Sequence, residues 1–138
     1  MALIAKTSIM LRYFGDDLIP DALTSALGKP PSGAEIKGEA IIGKKTGISR
    51  IAKTGSWRYK VEKREPGDLD GQIQELFGAL STDLSVWRAL AEKYKPDLMV
   101  GLFLKKENEE IEISAESLEI LSSRGVSLWL DIYGGANE

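Results

Sequence analysis

Alternating apolar and polar residues predict strands at both ends of this chain. Residues 7–14 alternate between a face of Ile9, Leu11 and Tyr13 and a face of Met10, Arg12 and Phe14. Residues 126–133 alternate in the same way, with one face formed by Val126, Leu128, Leu130 and Ile132, and the other by Ser127, Trp129, Asp131 and Tyr133. A third strand is predicted over residues 97–104, and a short one at Ile111 and Ile113.

Helical spacing of apolar residues predicts four helices between these strands. The first begins at Pro20, which needs no N–H partner at that position, and ends at Gly28. Ile19 offers no capping oxygen, so Asp17 is predicted to cap this helix instead. The other helices follow Asp68, the Ser81–Asp83 break and Ser114.

The middle of the chain is basic and predicts further strands. Residues 37–64 contain nine Lys or Arg and only two acidic residues, whereas the whole chain has a net charge of −3. Two or three strands are predicted over residues 34–42 and 48–61, joined through Gly43–Gly47. In the last of them Trp57 and Tyr59 point inward and Arg58 and Lys60 point outward.

These patterns predict one α+β domain over residues 1–138, with residues 134–138 frayed. The expected architecture is a single, mostly antiparallel sheet with helices packed on one face.

The expected helix-free side of the sheet is unusually apolar. It would carry Met10, Phe14, Met99, Phe103, Trp129 and Tyr133, with Arg12 and Asp131 among them. Three alternatives remain open: residues 29–47 cover it, it forms an interface with a protein partner or a second copy, or it binds a small ligand. We expect Arg12 and Asp131 to pair across this face.

The chain has no His and no Cys. It therefore lacks the commonest general base, the commonest metal ligand and the thiol nucleophile, so we expect no cofactor and a non-enzymatic function. The alternative is a carboxylate-dependent enzyme or a metal-binding or small-ligand-binding protein. Asp16 and Asp17 would then act with Glu39 or Asp131, although turn capping accounts for the first two equally well.

The basic segment suggests contact with phosphates or with an acidic protein. Nucleic acid is the less favoured partner, because Trp57 and Tyr59 face away from Arg58 and Lys60, and the sequence pI is about 5.2. The sequence contains no run of ~20 apolar residues and no secretory signal pattern, so we expect a cytoplasmic protein without membrane contact. The candidate binding residues are Arg12, Phe14, Asp16, Asp17, Glu39, Trp57, Trp129, Asp131 and Tyr133.

The order of several short motifs resembles a known family. Phe14-Gly15-Asp16-Asp17-Leu18 followed by Pro20-Asp21 is similar to the opening signature of an uncharacterised bacterial family, catalogued as domain of unknown function 4279. The similarity continues through Gly55-Ser56-Trp57 to Leu130-Asp131-Ile132-Tyr133, and departs from the family at Ile19, where a polar residue is usual. The resemblance implies an α+β fold and a small bacterial, cytosolic protein. It implies no activity, although some relatives resemble immunity-type partners of toxins.

Overall fold

The computed structural model describes residues 4–43 and 46–134. In chain order the elements are β1 (Lys6–Gly15), α1 (Pro20–Leu27), β2 (Gly33–Glu35), β3 (Ala40–Ile42), β4 (Ser49–Ile51), β5 (Gly55–Lys60), α2 (Leu69–Gly78), α3 (Leu84–Tyr94), β6 (Asp97–Phe103), α4 (Ala115–Ser123) and β7 (Ser127–Tyr133).

Five strands form the main sheet, in the order β2-β5-β1-β6-β7. All neighbours are antiparallel except β6 and β7, which α4 connects as a parallel pair. The predicted α+β class with a mostly antiparallel sheet is confirmed. The prediction of a single sheet is wrong, because β3 and β4 leave the main sheet and pair only with each other as a hairpin.

Two local predictions also need correction. Among the described residues, Ile111 and Ile113 form no strand; their side chains pack against the core instead. Asp17 forms an ion pair with Lys93, at 3.6 Å, rather than capping α1. Fraying is predicted for residues 134–138, and residues 135–138 lie outside the described part of the chain.

The helix boundaries follow the capping chemistry that the sequence contains. The side chains of Asp68, Asp83 and Ser114 accept hydrogen bonds from backbone amides in the first turns of α2, α3 and α4. Helix α1 starts at Pro20 and ends before Gly28, whose φ of 92° is readily adopted only by glycine.

The core lies between the helices and one face of the sheet. Leu11, Tyr13 and Trp57 are fully buried there, together with apolar residues of all four helices. The Trp57 indole donates a hydrogen bond to Thr24 Oγ1 in α1 at 3.1 Å, and its ring stacks on Tyr59. Trp57 is therefore a core residue and cannot contact a partner, which corrects its place among the candidate binding residues.

A buried polar cluster fastens α2 to β1. Thr7 and Gln72 are both fully buried, and the Thr7 hydroxyl donates to the Gln72 side chain at 2.6 Å. The Gln72 amide donates in turn to the backbone oxygens of Thr7 and Glu62, at 3.1 and 2.9 Å. Every polar atom of this amide has a partner, so the cluster fixes the position of α2 without an unsatisfied buried group.

Candidate functional site

The face of the main sheet opposite the helices, here called the open face, collects most of the candidate residues. The strand register places Met10 beside Met99, and Met99 beside Trp129. Phe14, Trp129 and Tyr133 are 42%, 57% and 47% exposed. The predicted apolar face is thus present, and the segment over residues 29–47 does not bury these three aromatic side chains.

An ion pair between Arg12 and Asp97 lies on the open face, at the end where β6 and β7 begin. The two residues are directly opposed on β1 and β6, and the guanidinium donates to both carboxylate oxygens, at 2.8 and 3.0 Å. The Arg12 guanidinium also lies 5.3 Å from the Phe14 ring centroid and 5.5 Å from that of Trp129. This arrangement holds one cation between two exposed aromatic rings.

The expected pairing of Arg12 with Asp131 is wrong. Asp131 lies beside Gly101, four residues along β6 from Asp97, which is about 13 Å in a strand. Asp131 instead accepts a hydrogen bond from the Tyr133 hydroxyl at 2.7 Å. This hydrogen bond and the negative charge of Asp131 raise the pKa of Tyr133 above its ordinary value.

A stacked aromatic pair occupies the far end of the open face. The rings of Phe103 and Tyr133 are parallel, with centroids 4.5 Å apart. The Lys6 ammonium lies 4.2 Å from the Phe103 centroid. Aromatic surface is therefore held in a fixed geometry here.

A groove of about 630 Å³ crosses the open face between β1, β6 and the segment that follows β5. Its lining includes Met10 and Met99 on its floor, and Lys60, Glu62 and Lys63 on one wall. The flexible thioether side chains of methionine adapt to different apolar groups, and the lysines would favour a nearby negative charge.

The acidic residues proposed as an alternative site are dispersed. Asp16 accepts a hydrogen bond from Lys37 at 3.1 Å, and hydrogen bonds from Lys37 and Thr54 lower the pKa of Asp16. Asp17 faces Lys93, and Glu39 is an exposed residue next to the hairpin. Across residues 4–43 and 46–134, no three carboxylates are grouped in a way that could hold a metal ion.

The β3–β4 hairpin carries part of the basic segment beyond the β2 edge of the sheet. Ile42, Ile48 and Ile51 are exposed on it. Arg50 joins the hairpin to the main sheet through a hydrogen bond to Glu35 at 2.9 Å. Lys44 and Lys45, also counted in the basic segment, lie outside the described residues.

Sequence reasoning missed Asp97, Lys60 and Lys63 as members of the site. The sequence pattern predicts Asp97 only as the first residue of a strand, because its role depends on its position opposite Arg12. The pattern predicts Lys60 on the outer face, where it lies, but the groove beside it is formed by strands and a loop that are distant in sequence.

Comparison with known proteins assigns the chain to a family. Within the described residues, no helix combines the length and the apolar character that a membrane crossing requires. Searches among curated proteins and among solved structures find no match to this chain. A family model does match, over residues 5–135, nearly the whole chain. The chain therefore belongs to the family described as Domain of unknown function (DUF4279).

Proposed function

We propose that this protein is a non-enzymatic interaction module that binds a protein partner through its open face. The observation that carries the proposal is the group of three exposed aromatic side chains, Phe14, Trp129 and Tyr133, on the helix-free side of the sheet. Exposed apolar patches of this kind mark interaction sites in soluble proteins.

The composition of the open face supports protein recognition. Aromatic residues, Met and Arg are the types enriched at protein interfaces, and all three are present here. The Arg12–Asp97 pair and the Phe103–Tyr133 stack hold several of these side chains in place before a partner arrives. A prearranged surface loses less conformational entropy on binding than a mobile one.

The charge distribution favours a partner that is acidic around an apolar centre. Arg58 and Lys60 lie on the β5 side of the open face, and Arg50 lies beyond them on the hairpin, where it pairs with Glu35. Carboxylates of a partner would meet these cations while its apolar side chains meet Phe14 and Trp129. Such electrostatic attraction would mainly raise the association rate and make it sensitive to salt.

The proposed cellular setting rests on the sequence rather than on the fold. The absence of cysteine suits a reducing cytoplasm, and we place the protein in a bacterial cytoplasm as the family resemblance implies. An immunity-type role, in which the partner is a toxin, is one form of this function.

The experiment begins with capture from the native host and ends with a measured affinity. The captured protein would be identified, purified and titrated against the natural chain, Phe14→Ala and Trp129→Ala. We expect each variant to weaken binding at least tenfold, because aromatic residues at the centre of an interface commonly contribute 2 kcal/mol or more (about 30-fold).

Leu118→Ala is the matched control, because Leu118 is 48% exposed but lies on α4, on the other side of the sheet. It should leave the affinity unchanged. Equal binding by the natural chain and both aromatic variants would refute the proposal, as would the lack of any partner that binds when purified.

The groove favours a second candidate function, the binding of a small anionic ligand. Its volume is in the range of small-molecule sites, and Lys60 and Lys63 stand beside the two methionines. Thermal shift with a panel of anionic metabolites, repeated with Lys60→Ala, would test this. A stabilisation that persists unchanged in Lys60→Ala would argue against the groove as its site.

A further inference from the structure

Strand β7 forms one edge of the main sheet, and its backbone groups alternate between two directions. The Ser127 amide donates to the Pro96 oxygen, and the Tyr133 oxygen accepts from the Leu104 amide, so odd-numbered residues bond toward β6. In a parallel ladder the residues between them point their N–H and C=O groups the other way. Leu128, Leu130 and Ile132 therefore direct their backbone groups outward, where no strand of the described chain pairs with them.

This edge carries few of the devices that usually prevent strand pairing. β7 contains neither Lys nor Pro, and it pairs with β6 over seven consecutive residues without a bulge. The opposite edge is different, because β2 is three residues long, follows Pro30 and Pro31, and leads into the hairpin.

The helix-side surface of β7 is also apolar and uncovered. The sequence pattern predicts that Leu130 and Ile132 are buried beneath the helices, but they are 41% and 58% exposed. Helix α4 packs on β7 and leaves both side chains accessible at the sheet margin. Trp129 and Tyr133 are exposed on the other side of the same strand, so the edge presents apolar surface on both faces.

We propose that β7 pairs antiparallel with β7 of a second copy of this chain, about a two-fold axis at Leu130. The axis would stand perpendicular to the sheet, so the helices of both copies lie on the same side. Leu130 would then oppose the partner's Leu130, and Leu128 would oppose the partner's Ile132. All three outward-pointing residues would exchange backbone hydrogen bonds with the partner strand.

The length of β7 and its charge together favour this register, because Leu130 is the middle residue of the strand and an axis there pairs all seven residues. Asp131 is the single charged residue of the strand. An axis at Asp131 would place the two carboxylates directly opposite each other, which is destabilising. An axis at Leu130 instead places Asp131 opposite the partner's Trp129 and also covers the exposed Leu130 and Ile132.

The dimer would contain one continuous sheet with two open faces side by side. This inference does not depend on the proposed function, because it concerns the edge of the sheet and not the partner of the open face. If both hold, the dimer presents two copies of the recognition surface and binds a repetitive or dimeric partner with higher avidity.

Because the natural chain has no cysteine, single-cysteine variants can test the register directly. Across the proposed axis the two Leu130 Cα atoms would be about 5.5 Å apart, within the range for a disulfide. The two Ile132 Cα atoms would be separated by four residues along the strands, about 14 Å. Ile132→Cys is therefore the matched control for Leu130→Cys, and its side chain is the more exposed of the two.

We expect Leu130→Cys to form a covalent dimer on mild oxidation, while Ile132→Cys stays mostly monomeric. The natural chain should double its mass between low and high micromolar concentration in sedimentation or light scattering, and Ile132→Lys should shift that transition to higher concentration. Circular dichroism of each variant would show that it is folded.

Three results would overturn the proposal. The first is a natural chain that stays monomeric over the whole concentration range. The second is equal cross-linking of Leu130→Cys and Ile132→Cys. The third is a dimer that persists in Ile132→Lys and disappears in Phe14→Ala, which would place the contact on the open face instead.

Discussion

The ion pair between Arg12 and Asp97 on the open face gives a sharp test of how that surface is held together. The side chains of Arg12 and Asp97 are 19% and 16% exposed, and two parallel hydrogen bonds join them. Ion pairs on the surface contribute at most about 1 kcal/mol, whereas breaking a buried pair costs about 3–5 kcal/mol. At this intermediate burial we expect Arg12→Met to lower the free energy of unfolding by about 2 kcal/mol.

A double-mutant cycle would isolate the pair from the other contacts of each residue. Methionine preserves much of the aliphatic stem of Arg12, and Asp97→Ala removes the carboxylate. If the two side chains act mainly on each other, the double variant should cost little more than either single variant, with a coupling energy of about 1.5 kcal/mol. Urea unfolding followed by tryptophan fluorescence would measure all four proteins.

The matched control is Arg50→Met, which breaks the bond between Arg50 and Glu35 on the hairpin. Arg50 is 60% exposed, and its distance to Glu35 is a similar 2.9 Å. We expect this variant to cost less than about 0.5 kcal/mol. A coupling energy for Arg12 and Asp97 below about 0.3 kcal/mol, or equal costs for Arg12→Met and Arg50→Met, would refute the reasoning.

Three further predictions concern the core and the pH dependence of stability. Gln72→Met should cost about 2 kcal/mol in urea unfolding, since it leaves the buried Thr7 hydroxyl without its acceptor and removes the hydrogen bonds that the amide donates to the Thr7 and Glu62 oxygens; a cost below about 0.5 kcal/mol would contradict the structure. Trp57→Ala should cost about 3–5 kcal/mol, because it empties a fully buried site, whereas Trp129→Ala should cost less than about 1 kcal/mol, and thermal unfolding of both would show the contrast. Burial raises the pKa of Asp70, but hydrogen bonds from Ser117 and Ser114 outweigh it and lower that pKa below its ordinary value. The resulting stabilisation is therefore fully present above about pH 5 and is lost as the pH falls through the folded-state pKa. The natural chain should thus exceed Ser117→Ala in unfolding free energy at neutral pH, and this difference should shrink below about pH 4. A difference that is constant from about pH 7 to pH 3 would contradict this.

The open face could be predicted from the sequence because alternation fixes which side of a strand each residue occupies. This rule alone predicts that Met10, Arg12 and Phe14 share one face, and it places Trp129 on one face of the last strand. The rule needs no knowledge of which strands are neighbours, so it holds for any sheet with helices on one side.

The partner of Arg12 could not be predicted in the same way. Whether Arg12 meets Asp97 or Asp131 depends on the register between β1, β6 and β7, which the whole sheet determines. Both acids lie on the correct face, so alternation does not distinguish them. The groove beside Lys60 is hidden for the same reason, because its walls are distant in sequence.

The exposed state of Leu130 and Ile132 shows a second limit of pattern reasoning. Apolar residues on the helix side of a strand are buried only where a helix reaches them. Strand β7 lies at the margin of the sheet, and its position there is a property of strand order. The departure of β3 and β4 from the main sheet is also a matter of strand order, since their residues have ordinary strand patterns.

The way in which the hairpin closes has a consequence for how this chain can vary. The Gly38 amide donates to the Ala52 oxygen at 2.9 Å, and the Ala52 amide donates to the Glu39 oxygen at 3.0 Å. These two hydrogen bonds, here called the neck, join the chain to itself at the point where the hairpin leaves and rejoins the domain. Residues beyond this neck can be added or deleted at the modest entropic cost of a longer or shorter loop, without changing the alignment of β2 on β5. The arm between Glu39 and Ala52 is thus the place where insertions, epitopes or reporter sequences can be accommodated while the rest of the domain keeps its structure.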